Sequence, residues 1–536
     1  MTMREKFSKF FCRQLQQIKA GGPRVLYNKL KRAFRLAYLS VAAPIAVYFK
    51  MDWPLAYDFL ANRVFKKFKR LRLRGSGEKL QIKKLLEKGI DYLEKSTHQI
   101  PDLSGLKEWM RKSLLLGDFH EVKNDIKQSI TVQQRTAEVQ RQITKKYQLD
   151  GLDLEFIPRA VAQGSIGGYE NLEAYIKAGM LGLHPNKKMI ILLNPDVPVV
   201  NPCYLKYWSK YITIVSDLQA IEMLEPLEGR LTTPLNRFMY LQGKFWNSPM
   251  ALGRVRGQWN KENRPPLLAL SGQDYERGWR ALRSLGLPQN AWFVALHVRE
   301  SGWKDCGTSR ENFRNADINT YFSAIKAITD AGGWVVRVGD PTMRKLPAMH
   351  QVVDYAHSQT KSDWMDIFLC SQCRFMIGTA SGMCVVALTF GVPLVMTNLL
   401  PAHVIYYFTS NDLFIPRLCV SKETENYLSF NELIAPPLGT ACTQTNFDNL
   451  NVRFVENTGE EIKELVDEML ERFNGGGQYH EEDEHLQKQF KSLTARCGQL
   501  YGNGDIVVNA MIGRNFLRKH SSLLPSSKLP NASIEV

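Results

Sequence analysis

No disulfide framework is legible in this chain. Nine cysteines, an odd number, are scattered over 536 residues, whereas a stapled secreted scaffold carries an even set in a short sequence. A reducing compartment, the cytoplasm, is expected. Cys370 and Cys373 form a CxxC, but no second CxxC or histidine pair follows at zinc spacing; no metal is expected, and the two cysteines read as a buried helical pair. Long apolar runs are lacking too. Residues Met1 to Phe49 hold no apolar core ending at a small-residue cleavage site, so no secretory signal is expected. The apolar segment Leu36 to Phe49 is 14 residues long and contains Pro44. That is too short to span a bilayer comfortably, and it suits an interfacial or a core helix.

Several ligand signatures are also missing. No Gly-rich loop ends in Gly-Lys-Ser/Thr, which disfavours P-loop ATP hydrolysis. "GSIGG" is not the GxGxxG of a dinucleotide site. No DxD-type metal pair stands at a strand end, no nucleic-acid reader motif is present, and no repeat period runs through the chain.

What remains is informative. Apolar residues make up 44% of the chain and the net charge is +17. The first allows a sizeable core, and the second suits anionic partners such as nucleotide phosphates or anionic lipid. Basic residues concentrate at the front. "FKKFKRLRLR", Phe65 to Arg74, interleaves six cations with Phe65, Phe68, Leu71 and Leu73. Such a stretch fits an anionic membrane surface and, equally, a solvated helix face with snorkelling stems.

Periodicity divides the chain into five parts. Residues 1–150 read as a basic helical region, in which "LSGLKEWMRKSLLLG" forms a helix stopped by Gly117. Residues 151–288 and 289–455 each read as strands alternating with helices, which is a parallel α/β pattern. In the first, "LDLEFIPRAVA" reads as strand and "RFMYLQGKFW" as a linking segment. Residues 456–520 read as C-terminal helices and 521–536 as a frayed tail.

The apolar run Trp292 to Leu296 poses the functional question, because it ends in His297, Arg299 and Glu300. In open parallel sheets ligands sit beyond the carboxyl ends of strands. Two further strand ends collect polar residues, "VRVGDP" with Arg337, Gly339 and Asp340, and "IGTASG" with Thr379, Ser381 and Gly382. Arginine matches phosphate oxygens as a planar fork. The small residues of "GTASG" expose a helix N-terminus, where backbone N–H groups and the dipole favour an anion. Together they predict a diphosphate site.

The words "HVRE", "FRNADI", "DYA", "SDWMDIFL" and "IGTASG", spread over Leu152 to Leu400, resemble those of an uncharacterised bacterial glycosyltransferase family. That family has HVRD and YRNADI where this chain has Glu300 and Phe313. More distantly, His297-x-Arg299 and the region Asp366 to Gly382 resemble fucosyltransferases of the GT-B type. The resemblance implies two Rossmann-like domains facing a cleft, here with a helical N-terminal extension. It implies that Arg299 holds the donor diphosphate, that Thr379, Ser381 and Gly382 form the second wall, and that Asp366 is the downstream acid. The donor-binding set is then His297, Arg299, Arg337, Gly339, Asp366, Thr379, Ser381 and Gly382. The catalytic set is Arg299 with Glu300 and Asp340, the two carboxylates that could act as base. The acceptor loop is Gly164, Gly167, Gly168 and Glu170.

The expected reaction is metal-independent transfer from a nucleotide sugar to a glycan, lipid or protein acceptor, with no cofactor and no nucleic-acid partner. Surface polysaccharide or glycoconjugate synthesis is the expected setting, in the cytoplasm, with the inner face of the membrane as a peripheral station. A non-catalytic sugar-binding protein of this fold and a nucleotide-sugar epimerase are the alternatives.

Overall fold

A computed structural model describes residues 57, 60, 61, 63, 64, 79–123, 125–300, 312–477, 479–500 and 508–525. The basic stretch Phe65 to Arg74 and the apolar stretch Leu36 to Phe49 lie outside them.

The described residues fall into two compact units. One holds the helix Lys79–Thr97 and residues 108–119 of the helix Leu106–Val122. Trp109 Nε1 donates to the Thr97 carbonyl at 3.2 Å there. Gly117 does not stop the second helix, which runs on to Val122. Leu116 and Phe119 are both buried beside it, and packing of an apolar face outweighs the roughly 1 kcal/mol helix penalty of one glycine.

The second unit holds residues 102–107 and everything from His120 onward. It opens with the helix Ile126–Lys146, capped by Asp125. Gln140 of that helix donates to the carbonyls of Arg230 and Thr232 at 3.1 and 3.0 Å.

Three parallel strands follow, β1 (Leu154–Phe156), β2 (Lys188–Leu192) and β3 (Ile212–Val215), in the order β1-β2-β3. Met189 and Ile191 enter the main core, while Ile190 and Leu192 alternate to the other face against Ile221 and Leu231. Burial on both faces explains the unbroken apolar run here. The strand expected over 152–162 ends early, and Ala160–Gln163 is a short helix. "RFMYLQGKFW" is a hairpin rather than a link. Its strands β4 (Phe238–Leu241) and β5 (Lys244–Asn247) pair antiparallel around Gln242 and Gly243, both at positive φ. Two positive-φ residues make the mirror-image turn that matches strand twist.

The large sheet has seven strands: β6 (Phe293–His297), β7 (Trp334–Arg337), β8 (Val352–Val353), β9 (Met376–Gly378), β10 (Leu394–Leu399), β11 (Leu413–Pro416) and, after the pair β12 (Leu418–Ser421) and β13 (Val452–Val455), β14 (Met511–Ile512). All seven are parallel, in the order β14-β11-β10-β9-β6-β7-β8. The last strand lies inside the stretch read as C-terminal helices; two residues are too few to show a period.

The chain winds outward from β6 through β7 to β8, then returns to β9 on the other side of β6 and winds outward again. Right-handed crossovers in opposite directions put the helices on opposite faces. Accordingly Phe322–Asp330 packs with Gly459–Phe473, and Asp363–Gln372 with Gly382–Thr389. This is a doubly wound α/β sheet, and with the smaller parallel sheet it forms the GT-B-like arrangement of two α/β layers facing a cleft. Among the described residues no helix is long and apolar enough to cross a membrane.

Candidate functional site

The sheet reverses its winding between β6 and β9, where His297 pairs in register with Gly378. Such a switch point leaves a crevice outside the carboxyl ends of the strands. A cavity of about 700 Å³ opens there, bounded by the large sheet on one side and by the loop Gly164 to Glu170 on the other. Of the residues singled out from sequence, Gly164, Gly167, Glu170, His297, Arg299, Glu300, Gly339, Asp340, Asp366, Ser381 and Gly382 line it. Gly168, Arg337 and Thr379 do not.

Thr379 is buried behind the wall, where its Oγ1 accepts from the Arg299 amide at 3.1 Å and its own amide donates to the His297 carbonyl at 3.2 Å. It fixes the loop that carries Arg299. Gly168 stands close to the Val161 backbone and lets the helix Ala160–Gln163 pack. Arg337 is fully buried, with Nη2 3.2 Å from Glu300 Oε2 and Nη1 3.1 Å from Asp354 Oδ1. Two carboxylates bind its two Nη atoms, so this arginine holds β6, β7 and the segment after β8 together.

His297 is buried at the end of β6, and its Nδ1–H donates to the Val338 carbonyl at 3.2 Å. Burial, with Arg337 and Arg299 nearby, pushes its pKa down to about 4. The ring is neutral at pH 7, and the tautomer set by Val338 leaves Nε2 as an acceptor. Gly339 adopts φ +151, and a Cβ there would collide with Met343 Sδ. That backbone conformation favours glycine.

The helix Gly382–Thr389 opens at Ser381, whose backbone is extended and whose hydroxyl makes no cap hydrogen bond. That hydroxyl shares a hydrogen bond with Cys384 Sγ at 3.7 Å. A Cβ on Gly382 would strike the Ile166 side chain and stand 2.9 Å from the Gly167 amide nitrogen. Gly382 thus lets two loops from different sheets meet backbone to backbone beside the cavity.

Four cations line the cavity, Arg256, Arg299, Arg314 and Lys361. Sequence reasoning found one of them. Arg314 stands inside the word "FRNADI", and its Nη1 donates to the Ala380 carbonyl at 3.2 Å, beside the open helix end. Lys361 is clasped by Asp366, with Nζ 2.7 Å from Oδ1. Burial raises the Asp366 pKa against the pull of Lys361 and Tyr355, so Asp366 positions a cation and its own carboxylate is taken up. Arg256 Nη1 donates to the Tyr407 carbonyl at 2.6 Å and Nε to Glu173 at 3.0 Å. Burial opposes ionisation of Glu173, yet Arg256 and Lys177 hold its pKa below the ordinary value. A signal for this pair existed: Arg256 and Glu173 are opposite charges on the apolar faces of two helices.

The carboxylates lining the cavity differ in their partners. Glu300 Oε2 accepts from Arg337 and from the Arg344 amide at 2.7 Å. Asp340 Oδ1 accepts from the Thr342 amide at 2.9 Å and from its hydroxyl. Asp363 is exposed in the first turn of its helix. Glu170 is half-buried in the cavity wall. Among the described residues no hydrogen bond or ion pair reaches it. Burial raises its pKa to about 7, aided by Glu173 and opposed by Arg256 and Arg314. Among the described residues no three His, Cys, Asp or Glu side chains are grouped to hold a metal ion.

No family model matches the sequence, and no curated protein matches it. Solved structures show weak likenesses. A glycosyl transferase family 9 protein from Veillonella parvula is 11% identical, with 49% of this chain and 85% of that one covered and a TM-score of 0.27. The E. coli ADP-heptose LPS heptosyltransferase II is 12% identical, with 60% and 99% covered and a TM-score of 0.35. TibC, an iron-containing dodecameric glycosyltransferase from enterotoxigenic E. coli, is 11% identical, with 60% and 76% covered and a TM-score of 0.34. The site geometry, not these likenesses, carries the functional reading.

Proposed function

We propose that the chain is a glycosyltransferase that moves a sugar from a nucleoside diphosphate sugar to a hydroxyl of a glycan, lipid or protein. One observation carries this reading: Arg299, Arg314 and the uncapped start of the helix Gly382–Thr389 converge at the winding switch point of a doubly wound sheet. Two arginines and a helix N-terminus suit a diphosphate. As the glycosidic bond breaks, negative charge develops on that diphosphate. Fixed cations and N–H groups in a low-dielectric cleft stabilise the charge without reorganising at the moment of reaction.

His297 contributes an acceptor at Nε2 for a donor hydroxyl. Lys361, held by Asp366, supplies a further charge on the same wall. These cations take the part a metal plays elsewhere, so the transfer is proposed as metal-independent. The loop Gly164 to Glu170, on the other wall, is proposed to receive the acceptor. The domains proposed for these roles are 151–288 for acceptor and 289–455 for donor. The basic N-terminal region is proposed to meet the inner face of the membrane, on the strength of its sequence alone.

The test is a thermal-shift panel of ADP, GDP, UDP and CDP, followed by turnover assays with the matching sugar donors. A ligand at 100 times its dissociation constant adds roughly 2.7 kcal/mol to stability. No shift with any nucleoside diphosphate would remove the reading.

A further inference from the structure

We propose that Glu170 is the general base of this site, taking the proton of the acceptor hydroxyl as the sugar is transferred. The assignment rests on the glycosyl-transfer reading and names the residue that the reading leaves open.

Glu170 lies in the first turn of the helix Tyr169–Met180, three residues after Gly167, which meets Gly382 at the mouth of the cavity. Glu170 therefore lines the cavity from the loop Gly164 to Glu170, the side proposed to receive the acceptor hydroxyl. The other carboxylates are occupied or displaced. Glu300 is tied to Arg337, Asp366 to Lys361 and Asp340 to Thr342, while Asp363 is exposed. A base must be ionised yet not held by donors that lower its basicity. Glu170 meets that condition among the described residues.

The groups facing it are Glu173 from its own helix, Arg256 from the helix Ser248–Lys261, Arg314 from the turn Asn312–Arg314, and Tyr407. Arg256 already serves Glu173 and the Tyr407 carbonyl. Arg314 points to the phosphate side at Ala380. The resulting pKa of about 7 matches a base that works near neutrality.

The acceptor oxygen forms a bond to the anomeric carbon, and its proton passes to a Glu170 oxygen. The bond from the anomeric carbon to the β-phosphate oxygen breaks, and the nucleoside diphosphate leaves with the electron pair. A diphosphate beside Arg314 also offsets the cation that favours ionised Glu170, so diphosphate binding draws a proton onto Glu170.

Two measurements on the full chain test this, using whichever nucleoside diphosphate shifts the melting temperature. Calorimetric titration near pH 7 in two buffers of different ionisation heat should reveal proton uptake on binding. Glu170→Gln should keep the affinity within about threefold and lose the uptake. In the transfer assay, kcat/KM should rise with pH up to about 7 and then level. Glu170→Gln should lower it on the order of a hundredfold to ten-thousandfold and abolish that limb, while Glu170→Asp should retain it. A Glu170→Gln protein that binds diphosphate and transfers sugar at the normal rate, or keeps the limb, overturns the assignment alone. A wild-type chain that binds no nucleoside diphosphate overturns the glycosyl-transfer reading and the assignment with it.

Discussion

Gly167 and Gly382 meet across the cavity mouth, so closely that a methyl group on Gly382 would stand 2.9 Å from the Gly167 amide nitrogen and strike Ile166. The contact joins the acceptor-side loop to the helix start on the phosphate side. Gly382→Ala should force the two loops apart at an overpacking cost of about 1–3 kcal/mol. Diphosphate affinity should fall roughly five- to a hundredfold, read by calorimetric titration. Unchanged affinity would show that the two loops separate freely during binding.

Arg299→Lys should abolish most transfer although the charge is kept. Lysine is a compact point charge and lacks the two-pronged contact to phosphate oxygens. A lost transition-state contact of this kind costs about 3–4 kcal/mol, on the order of a hundredfold to a thousandfold in rate. The melting temperature and the turnover of one purified variant decide the point. A large thermal loss with normal turnover in the folded fraction would make Arg299 a structural residue.

Ser381→Ala should weaken diphosphate binding and leave stability unchanged. The hydroxyl makes no cap bond to its helix, so its removal costs the fold little. A charge-assisted hydrogen bond to phosphate is worth about 1.5–3 kcal/mol, or about ten- to a hundredfold in Kd. A lowered melting temperature with normal affinity would reverse the assignment.

Arg337→Leu should behave in the opposite way. It leaves Glu300 and Asp354 without their shared cation, and breaking a buried ion pair destabilises by about 3–5 kcal/mol. Urea unfolding should show this loss. Ligand affinity in the protein that remains folded should be close to normal, because Arg337 does not line the cavity.

Glu170→Gln should stabilise the protein at pH 8. A carboxyl whose folded pKa is raised to about 7 gives its full stability only below the unfolded pKa, near 4.3. That contribution is lost as pH rises through 7. Glutamine stays neutral throughout, so the two melting temperatures should agree near pH 4 and diverge above it, with the variant higher. A variant less stable than wild type at pH 8 would mean that an ionised Glu170 has a stabilising partner.

Local pattern made much of the large sheet legible. The apolar run into His297 is an effect of near neighbours in the chain. The rule that parallel sheets bind ligands at their strand ends then placed His297, Arg299 and Ser381 together before any strand order was known. Elements without a period were missed, including the two-residue strand Met511–Ile512 and the hairpin turned by Gln242 and Gly243. The hairpin carried a signal in its glycine, but Gln242 at positive φ is held there by the closed ladder.

The sequence by itself determined the residue types at each strand end and the glycines at each turn, because dihedral preference and apolar period are local. Tertiary structure alone decided which of those polar residues face the cavity. Arg337 and Arg299 look alike on paper, each close to a strand end. Glu300 and Asp354 claim the first and bury it, while the Thr379 hydroxyl holds the backbone of the second at the crevice. Arg256 and Arg314 reach the same cavity from segments far from β9. Glu170 owes its raised pKa to burial and Glu173, against the pull of Arg256 and Arg314. Burial and partner choice depend on separate segments, 37 residues apart for Arg337 and Glu300 and 83 apart for Arg256 and Glu173, and no local pattern encodes them.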